Sequence, residues 1–334
     1  MINWLKETGE ERDIIVSSRV RLARNLDSCF FPGRMETTTA VKVYQNISEA
    51  LEHKTFQSFR LKDIPEIERN MLVEKHIISP ALTLTSELSG FAMNQNESQS
   101  VLINEEDHIR IQTLTSGLSL REAWDQADEL DDRLESKLNY AFDEKVGYLT
   151  ACPTNLGTGL RASVMIHLPA LEMTKEINKV FMTISQFGLA VRGVYGEGTK
   201  ALGSLYQISN QSTLGDGEEI IIKKIENLSR QIASKERETR KRLIERNTVL
   251  LEDKIFRAYG ILKHARSITA DEAVRLMSLI KLGVGLELIT DCTMNEIDRL
   301  YVDIQPASIQ YLQRQEMDNM ERDVKRAELL RNSF

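Results

Sequence analysis

Two arginines stand two residues apart in residues 13–22, a segment whose polar and apolar side chains alternate. Such alternation is typical of a β-strand and predicts that Ser17, Arg19 and Arg21 share one face. The apolar face, on the other side, begins at Val16. Two guanidinium groups then lie about 7 Å apart, because each strand residue advances roughly 3.3 Å. The pair indicates an anion-binding face; the alternative is the solvated face of an edge strand.

Three adjacent carboxylates, Glu105, Glu106 and Asp107, interrupt two apolar strand patterns. They suit a general base, a metal site that acts through water, or a plain polar turn. Arg110 follows within the second, otherwise apolar strand pattern, where an unpaired buried cation is costly. This arginine favours a functional cluster over a plain turn.

A thiol, a glycine-rich loop and an arginine occur within ten residues, from Cys152 to Arg161. Loops of this composition present backbone N–H groups and hydroxyls to phosphate oxygens. The segment lacks the Gly-Lys-Ser/Thr ending of a Walker loop and the G-x-G-x-x-G pattern of a dinucleotide site. For Cys152, a reactive thiol beside cationic groups and a small buried side chain both remain open.

A second glycine-rich segment, residues 192–200, begins with Arg192 and carries one carboxylate, Glu197. Segments of this kind close over ligands or form plain hairpins. Together the four segments supply five arginines, a carboxylate cluster, a loop carboxylate and a thiol. Phosphoryl transfer needs such groups, because its catalysis consists mainly of positioning and of neutralising charge around the phosphoryl group.

The elements that position these residues are short β-branched runs and helical patterns, which predict an α+β fold with a mostly antiparallel sheet flanked by helices. The predicted strands cover residues 13–20, 100–103, 108–113, 163–168, 189–194 and 204–209. The predicted helices among them lie around residues 38–55, 63–74 and 119–142.

A helical C-terminal domain is predicted from residue 220 onward, after a catalytic domain of residues 1–219. Residues 218–259 contain neither glycine nor proline and indicate one long helix or two abutting helices. Two more helical patterns cover residues 270–282 and 307–331.

The composition narrows the class of protein. The chain has 334 residues, enough for two domains, and its formal net charge of −7 disfavours a basic protein that binds nucleic acid. It has neither an apolar run long enough to span a membrane nor the apolar core of a signal peptide, so we expect a cytoplasmic protein. Three cysteines without a C-x-x-C pair argue against disulfides and against a thiolate zinc site.

In the same order along the chain, the four segments resemble the motifs of the guanidino kinase (phosphagen kinase) family. The resemblance implies an antiparallel sheet flanked by helices, with ATP and Mg²⁺ bound on the sheet. It implies Glu106 as the base on the substrate guanidinium and Glu197 as the second carboxylate that orients it. Glu105 would contact magnesium through water, and Cys152 would lie against the reacting nitrogen without a covalent bond. The residues implied in binding ATP are Ser17, Arg19, Arg21, Arg110, Arg161 and Arg192.

Two departures indicate one branch of this family. Metabolite guanidino kinases carry a helical domain before the Ser-Ser-Arg-Val-Arg segment, whereas here Arg19 lies almost at the start and the helical domain follows. The chain is similar in this to the bacterial protein arginine kinases, and the arrangement leaves room for a polypeptide substrate. Met165 stands where the metabolite enzymes have a histidine near adenine, so the adenine contact stays open.

Residues 322–327 resemble the Arg-Asp-x-x-Arg-Ala motif with which the bacterial protein arginine kinases bind phosphoarginine at an allosteric site. The resemblance implies this role for Arg322, Asp323, Arg326 and Ala327. On a helix, the two arginines share one face because they are four residues apart. The alternative is a solvated helix face.

The leading hypothesis is an ATP-dependent kinase that phosphorylates arginine side chains in proteins. The alternatives are a kinase of free arginine or another small guanidine, and a catalytically silent adaptor that binds phosphoarginine. The resemblance further implies a role in stress response and protein quality control. Its expected partners are an ATP-dependent Clp protease, a heat-shock repressor, an activator protein and a second copy of the chain.

Overall fold

The computed structural model describes residue 5 and residues 9–51, 55–85, 87–194 and 201–334. The strands are β1 (Ile15–Arg24), β2 (Phe56–Arg60), β3 (Gly90–Asn94), β4 (Gln99–Ile103), β5 (Ile109–Ser116), β6 (Phe142–Asp143), β7 (Gly147–Tyr148), β8 (Leu160–His167), β9 (Leu189–Gly193) and β10 (Leu205–Asn210). Eight of them form one antiparallel sheet in the order β2–β3–β4–β5–β1–β8–β10–β9, and β6 pairs with β7.

Helices flank this sheet and make up the C-terminal part of the chain. They are α1 (Thr37–Leu51), α2 (Glu66–Glu74), α3 (Pro80–Thr83), α4 (Leu120–Glu135), α5 (Pro169–Met173), α6 (Ile177–Gln186), α7 (Glu218–His264), α8 (Ala270–Gly285), α9 (Met294–Asp303), α10 (Pro306–Gln313) and α11 (Asn319–Ser333). The α+β fold with an antiparallel sheet is therefore confirmed. Within the described ranges, no helix has the length and apolar character needed to cross a membrane.

One face of the large sheet is apolar and covered by helices. Val20 of β1, Ile111 of β5 and Val164 of β8 are fully buried there, in one core with Ile47 of α1 and Leu130 of α4. Because successive strand residues point to opposite faces, the polar residues of the same strands point to the other face of the sheet.

The long helix α7 passes from this first core into a second one. Its residue Ile225 packs in the first core, whereas Leu251 and Ile255 pack with α8, α9 and α11 in the second. Between them Asn247 has non-helical dihedral angles (φ −150°, ψ 53°), so two helical halves meet at a kink. The division of the chain at residue 220 stays a prediction, since the first half of α7 packs with the sheet.

The prediction of a single helix over residues 307–331 is wrong. Helix α10 ends where Arg314 adopts left-handed dihedral angles (φ 55°, ψ 36°). Helix α11 begins at a capping box in which the Asp318 side chain accepts from the backbone N–H of Glu321, and the Glu321 side chain accepts from the backbone N–H of Asp318.

A β-bulge changes the predicted alternation at the start of β1. Between Ile15 and Ser17, β1 carries one more residue than its partner β8. The additional residue is Val16, which packs beside Leu205 in the second core instead of beside Val20 in the first.

Candidate active site

Four arginines meet on the polar face of the sheet because of the strand register. Arg21 of β1 lies opposite Arg161 of β8, and Arg110 of β5 lies opposite Ala23 of β1. Arg19 precedes Arg21 by two residues and therefore shares its face. The sheet thus brings together residues that are up to 142 positions apart in the sequence, as the difference between 161 and 19 gives.

Burial and mutual repulsion lower the pKa of Arg19, Arg21 and Arg161. The pKa of Arg19 falls to about 10, chiefly through burial and then through the charges of Arg161 and Arg110. Burial, followed by the charge of Arg19, lowers the pKa of Arg21 well below its ordinary value. Burial also lowers the pKa of Arg161, with Arg192 as the next cause. A desolvated group of cations of this kind is stabilised by an anion with several charges.

The carboxylates at the turn between β4 and β5 occupy different environments. Glu105 is buried, pairs with Arg110 and accepts a hydrogen bond from the Ser79 hydroxyl. Glu106 also pairs with Arg110, at 3.1 Å, but 45% of its side chain is exposed toward the cavities described below. Of the two glutamates, Glu106 is therefore the one accessible to a substrate.

Asp107, the third carboxylate, fixes the surrounding loops. Its Oδ1 atom accepts from Asn25 Nδ2 and from the backbone N–H of Ala151, both at 2.7 Å. The next residue, His108, accepts from the backbone N–H of Leu26 at 3.1 Å. The plain-turn interpretation thus fits Asp107. The hydrogen bond between Asp107 and Ala151 also positions the neighbouring Cys152 loop.

The loop from Cys152 to Arg161 borders the same cavity. Cys152 Sγ lies 3.0 Å from Thr154 Oγ1. Gly159 has a φ of +64°, and a Cβ atom there would meet the backbone oxygen of Ala23 at 2.6 Å, so only glycine lets the loop approach β1 this closely. The cavity, of about 190 Å³, is lined by Arg21, Ala23, Glu106, Arg110, Cys152, Thr154, Asn155, Gly159 and Arg161.

A smaller cavity continues along the polar face and contains a histidine that the sequence analysis missed. His76 follows α2 and lies with Ser17, Arg19 and Met165 around a space of about 40 Å³. Burial, with a smaller effect from Arg19, lowers the pKa of His76 to about 4, so the ring is neutral at pH 7. No motif surrounds this isolated histidine, and only the fold brings it to Arg19.

The exposed side of the carboxylates opens onto a wide cavity with apolar and charged walls. It measures about 660 Å³ and is bordered by Cys29, Phe30, Phe31, Arg34, Glu105 and Glu106, among others. The Phe30 side chain is 74% exposed. Apolar side chains therefore stand beside the acidic pair, where a cationic group on a larger molecule can enter.

The remaining predicted residues differ in their placement. Arg192 is exposed on β9, opposite Gln207 of β10. Ala327 is buried in the second core. Glu197 lies outside the described residues, so its place relative to Glu106 stays a prediction.

The C-terminal set requires a correction. Arg326 is only 1% exposed and donates to the backbone oxygens of Ile304 at 2.7 Å and Ile268 at 2.9 Å, and it pairs with Asp323. Arg322, in contrast, is partly exposed. The expectation that both arginines stand on one open helix face is therefore wrong, because the packing of α11 directs one of them into the interior.

Comparisons with known proteins agree on two regions of the chain. Residues 38–239 match the family model described as ATP:guanido phosphotransferase, C-terminal catalytic domain, and residues 248–334 match the protein-arginine kinase McsB C-terminal domain. The first match ends eight residues before Asn247, the kink in α7, and the second begins directly after it.

Similar curated proteins extend over nearly the whole chain. A protein-arginine kinase of Halothermothrix orenii is 47% identical over 332 residues, which cover 98% of this chain and 95% of that protein. One of Symbiobacterium thermophilum is 45% identical, with coverage of 98% and 95%, and one of Clostridium tetani is 43% identical, with coverage of 100% and 99%.

Solved structures with a similar fold include two other kinases. Lombricine kinase superposes with a TM-score of 0.60 at 24% identity, covering 68% of this chain and 67% of that one. The duplicated taurocyamine kinase from Schistosoma mansoni, with bound transition state analog components, gives a TM-score of 0.62 at 26% identity, covering 75% and 38%.

Proposed function

Because the chain belongs to the protein-arginine kinase family of ATP:guanido phosphotransferases, we propose that it transfers the γ-phosphoryl group of ATP to arginine side chains of proteins. The observation that carries the proposal is the group of half-buried arginines beside Glu106 and Cys152 in one cavity. The cationic part suits the ATP phosphates, and the carboxylate suits a guanidinium.

The arginines bind and orient the triphosphate in this proposal. The sheet carries Arg19, Arg21, Arg110 and Arg161, whose N–H groups donate to phosphate oxygens. Ser17 and the exposed Arg192 complete the set of nucleotide contacts. These charges also stabilise the transition state, in which negative charge is spread over the oxygens of the transferred group.

Glu106 acts on the acceptor. It takes a proton from the target guanidinium as the guanidinium nitrogen attacks the γ-phosphorus in line. A P–N bond forms, the P–O bond to ADP breaks, and ADP leaves with the electron pair of that bond. Cys152 lies against the reacting nitrogen without a covalent bond, and Glu197 is the second orienting carboxylate.

Magnesium accompanies ATP in this proposal. Among the residues that the structure describes, no three His, Cys, Asp or Glu side chains are arranged to hold a metal. Mg²⁺ at phosphoryl-transfer sites takes most of its ligands from phosphates and water, and one or two carboxylates suffice. Glu105, which borders the wide cavity, would hold the ion through water, and the ion would supply positive charge to the phosphates.

A polypeptide is the acceptor that fits the open cavity around Phe30. The space of about 660 Å³ beside Glu106 takes an arginine that is still attached to its chain, and apolar side chains line the approach. A kinase of free arginine would instead gain from enclosing its small substrate and excluding water from it.

We further propose a regulatory role for the C-terminal region. Arg322 and Asp323 bind phosphoarginine, while Arg326 and Ala327 are the buried base of the same helix turn. The protein works in the cytoplasm as a homodimer, and its products pass to an ATP-dependent Clp protease. A heat-shock repressor is among its targets, and an activator protein regulates it. The division into residues 1–219 and 220–334 belongs to this proposal.

Mass spectrometry under non-acidic conditions tests the reaction, because P–N bonds are labile in acid. A basic protein and free arginine are each incubated with the enzyme and ATP–Mg²⁺. We expect phosphoarginine in the protein and little conversion of the free amino acid. Conversion of free arginine alone would establish the small-guanidine kinase, and binding of phosphoarginine without any transfer would establish the adaptor.

A further inference from the structure

A carboxylate on α2 holds the beginning of α10 in the C-terminal region. Glu74 Oε1 accepts from the backbone N–H of Ala307 at 2.8 Å, and Oε2 accepts from the backbone N–H of Ser308 at 2.7 Å and from its hydroxyl at 2.8 Å. A helix N-terminus has unpaired N–H groups and a positive end of its dipole, so a carboxylate there is strongly held. We call these three hydrogen bonds the Glu74 clamp; they join residues that are more than 230 positions apart in the sequence.

Helix α2, which carries Glu74, ends at the small cavity of the candidate active site. His76 comes two residues after Glu74 and lines the cavity with Arg19. Its backbone oxygen accepts from Gln112 Nε2 at 2.6 Å, and Ser100 Oγ donates to the oxygen of Ile77 at 2.8 Å. The end of α2 is therefore fixed to the sheet on one side and to α10 on the other.

The contacts continue from α10 to α11. Arg326 Nε donates to the oxygen of Ile304, just before α10, at 2.7 Å. Burial raises the pKa of Glu74, and the charge of Arg326 is among the causes that lower it again. Ala307 packs in a core with Met71 of α2. A continuous series of polar and apolar contacts thus joins Arg326, α10, α2 and His76.

We infer that Glu74 is a positioning residue: by clamping α10 it holds the end of α2 and His76 in place, so that the C-terminal helices set the affinity of the cavity for ATP. This inference rests on the proposed function in so far as the cavity binds the nucleotide. Glu74 lines none of the cavities around the arginine cluster, so its effect on ATP must pass through α2.

Titration calorimetry with ATP–Mg²⁺ tests the inference in the full chain. We expect Glu74→Gln to weaken ATP binding about fivefold or more, the lower end of the coupling between linked sites, with less than a twofold change in kcat at saturating ATP. Ser308→Ala, which removes one hydrogen bond of the clamp, shifts the affinity in the same direction by a smaller factor. The matched control is Glu66→Gln, because Glu66 is exposed in the first turn of α2, at the end of the helix away from His76.

A double variant separates positioning from a general loss of stability. In a His76→Ala background, Glu74→Gln should weaken ATP binding by less than twofold, because the two residues act through one path. A full and additive loss in the double variant overturns the inference, as does unchanged affinity in Glu74→Gln. If Glu74→Gln does not fold, unchanged affinity in Ser308→Ala overturns it instead. Failure of the unaltered protein to bind ATP overturns the proposed function itself, and that outcome is distinct because it precedes any substitution.

Discussion

Arg21 and Arg161 lie opposite each other on β1 and β8, and each has a buried Nε atom without a hydrogen-bond partner. Like charges directly opposite on neighbouring strands destabilise a sheet. The arrangement therefore places an energetic cost on the free protein that a bound polyanion removes. The protein without ligand is therefore less stable than it would be without this pair of charges, and a bound polyanion offsets the difference.

We expect Arg161→Ala to weaken ATP binding about 10- to 100-fold, because a hydrogen bond to a charged group contributes roughly 1.5–3 kcal/mol. The free energy of unfolding without nucleotide should not fall. Calorimetric titration and urea unfolding measure the two quantities. Arg257→Ala is the control, since Arg257 is exposed on α7 and pairs with Asp253. Unchanged ATP affinity in Arg161→Ala would contradict its assignment.

Neighbouring carboxylates should respond differently to substitution. Glu106→Ala is expected to lower phosphoryl transfer about 10²- to 10⁴-fold, the usual contribution of a general base, with ATP affinity retained. Asp107→Ala should instead lower the free energy of unfolding by about 1–3 kcal/mol, because Asp107 is 1% exposed and its Oδ1 atom accepts two hydrogen bonds that alanine cannot accept. Equal loss of ATP binding in the Glu106 variant would speak against a base.

Stability should depend on pH through His108. Burial lowers the pKa of His108 to about 4, below its ordinary value of 6.5. The unfolded chain therefore takes up a proton between pH 6.5 and 4 that the folded chain does not, and the free energy of unfolding falls as the pH falls through this window. One histidine contributes about 3 kcal/mol at most. Urea unfolding at pH 7 and pH 4.5 should show a smaller difference for His108→Gln than for the unaltered protein; equal differences would refute this.

The cysteines should differ in reactivity. Cys152 is partly exposed in the arginine-lined cavity, whereas Cys292 is buried, which raises the pKa of its thiol to about 11. We expect alkylation to inactivate the enzyme through Cys152 and ATP plus substrate to protect it. Cys152→Ser and the control Cys29→Ser are compared for residual activity against time. Inactivation of Cys152→Ser at the unaltered rate would exclude this thiol.

The wide cavity around Phe30 should affect the binding of large substrates only. Phe30→Ala is expected to raise KM for a protein substrate about 5- to 30-fold, because contact with a side chain of this size contributes roughly 1–2 kcal/mol. ATP affinity should not change. Phe142→Ala is a matched control, since Phe142 is 56% exposed on β6 and lies outside this cavity. An unchanged KM in Phe30→Ala would show that the polypeptide docks elsewhere on the protein.

Strand periodicity predicted the part of the site that lies on β1. Arg19 and Arg21 share a face because each strand residue reverses direction, a rule that needs no tertiary contact. Val16 broke the pattern only because β8 contributes one residue fewer at the bulge. A pattern within one strand holds no information about the length of its partner.

Tertiary packing decided the residues that the sequence could not place. His76 reaches Arg19 through a left-handed turn after α2, at a φ of 61°, and nothing in its local sequence requires this. Helical spacing likewise put Arg322 and Arg326 on one side, but the docking of α11 exposes the first and buries the second. Spacing predicts a shared face, and only the neighbouring helices decide what covers it.

The bulge at Val16 constrains how such a protein can be recombined. Val16 and Leu205 belong to strands of the sheet, yet they pack in the core formed by α8, α9 and α11. A chimaera that joins this sheet to the C-terminal helices of a relative must match their shapes at these two positions. Residues 1–247 alone would lack the helical side of this core, so exchange between relatives is expected to succeed only when both sides of it are changed together.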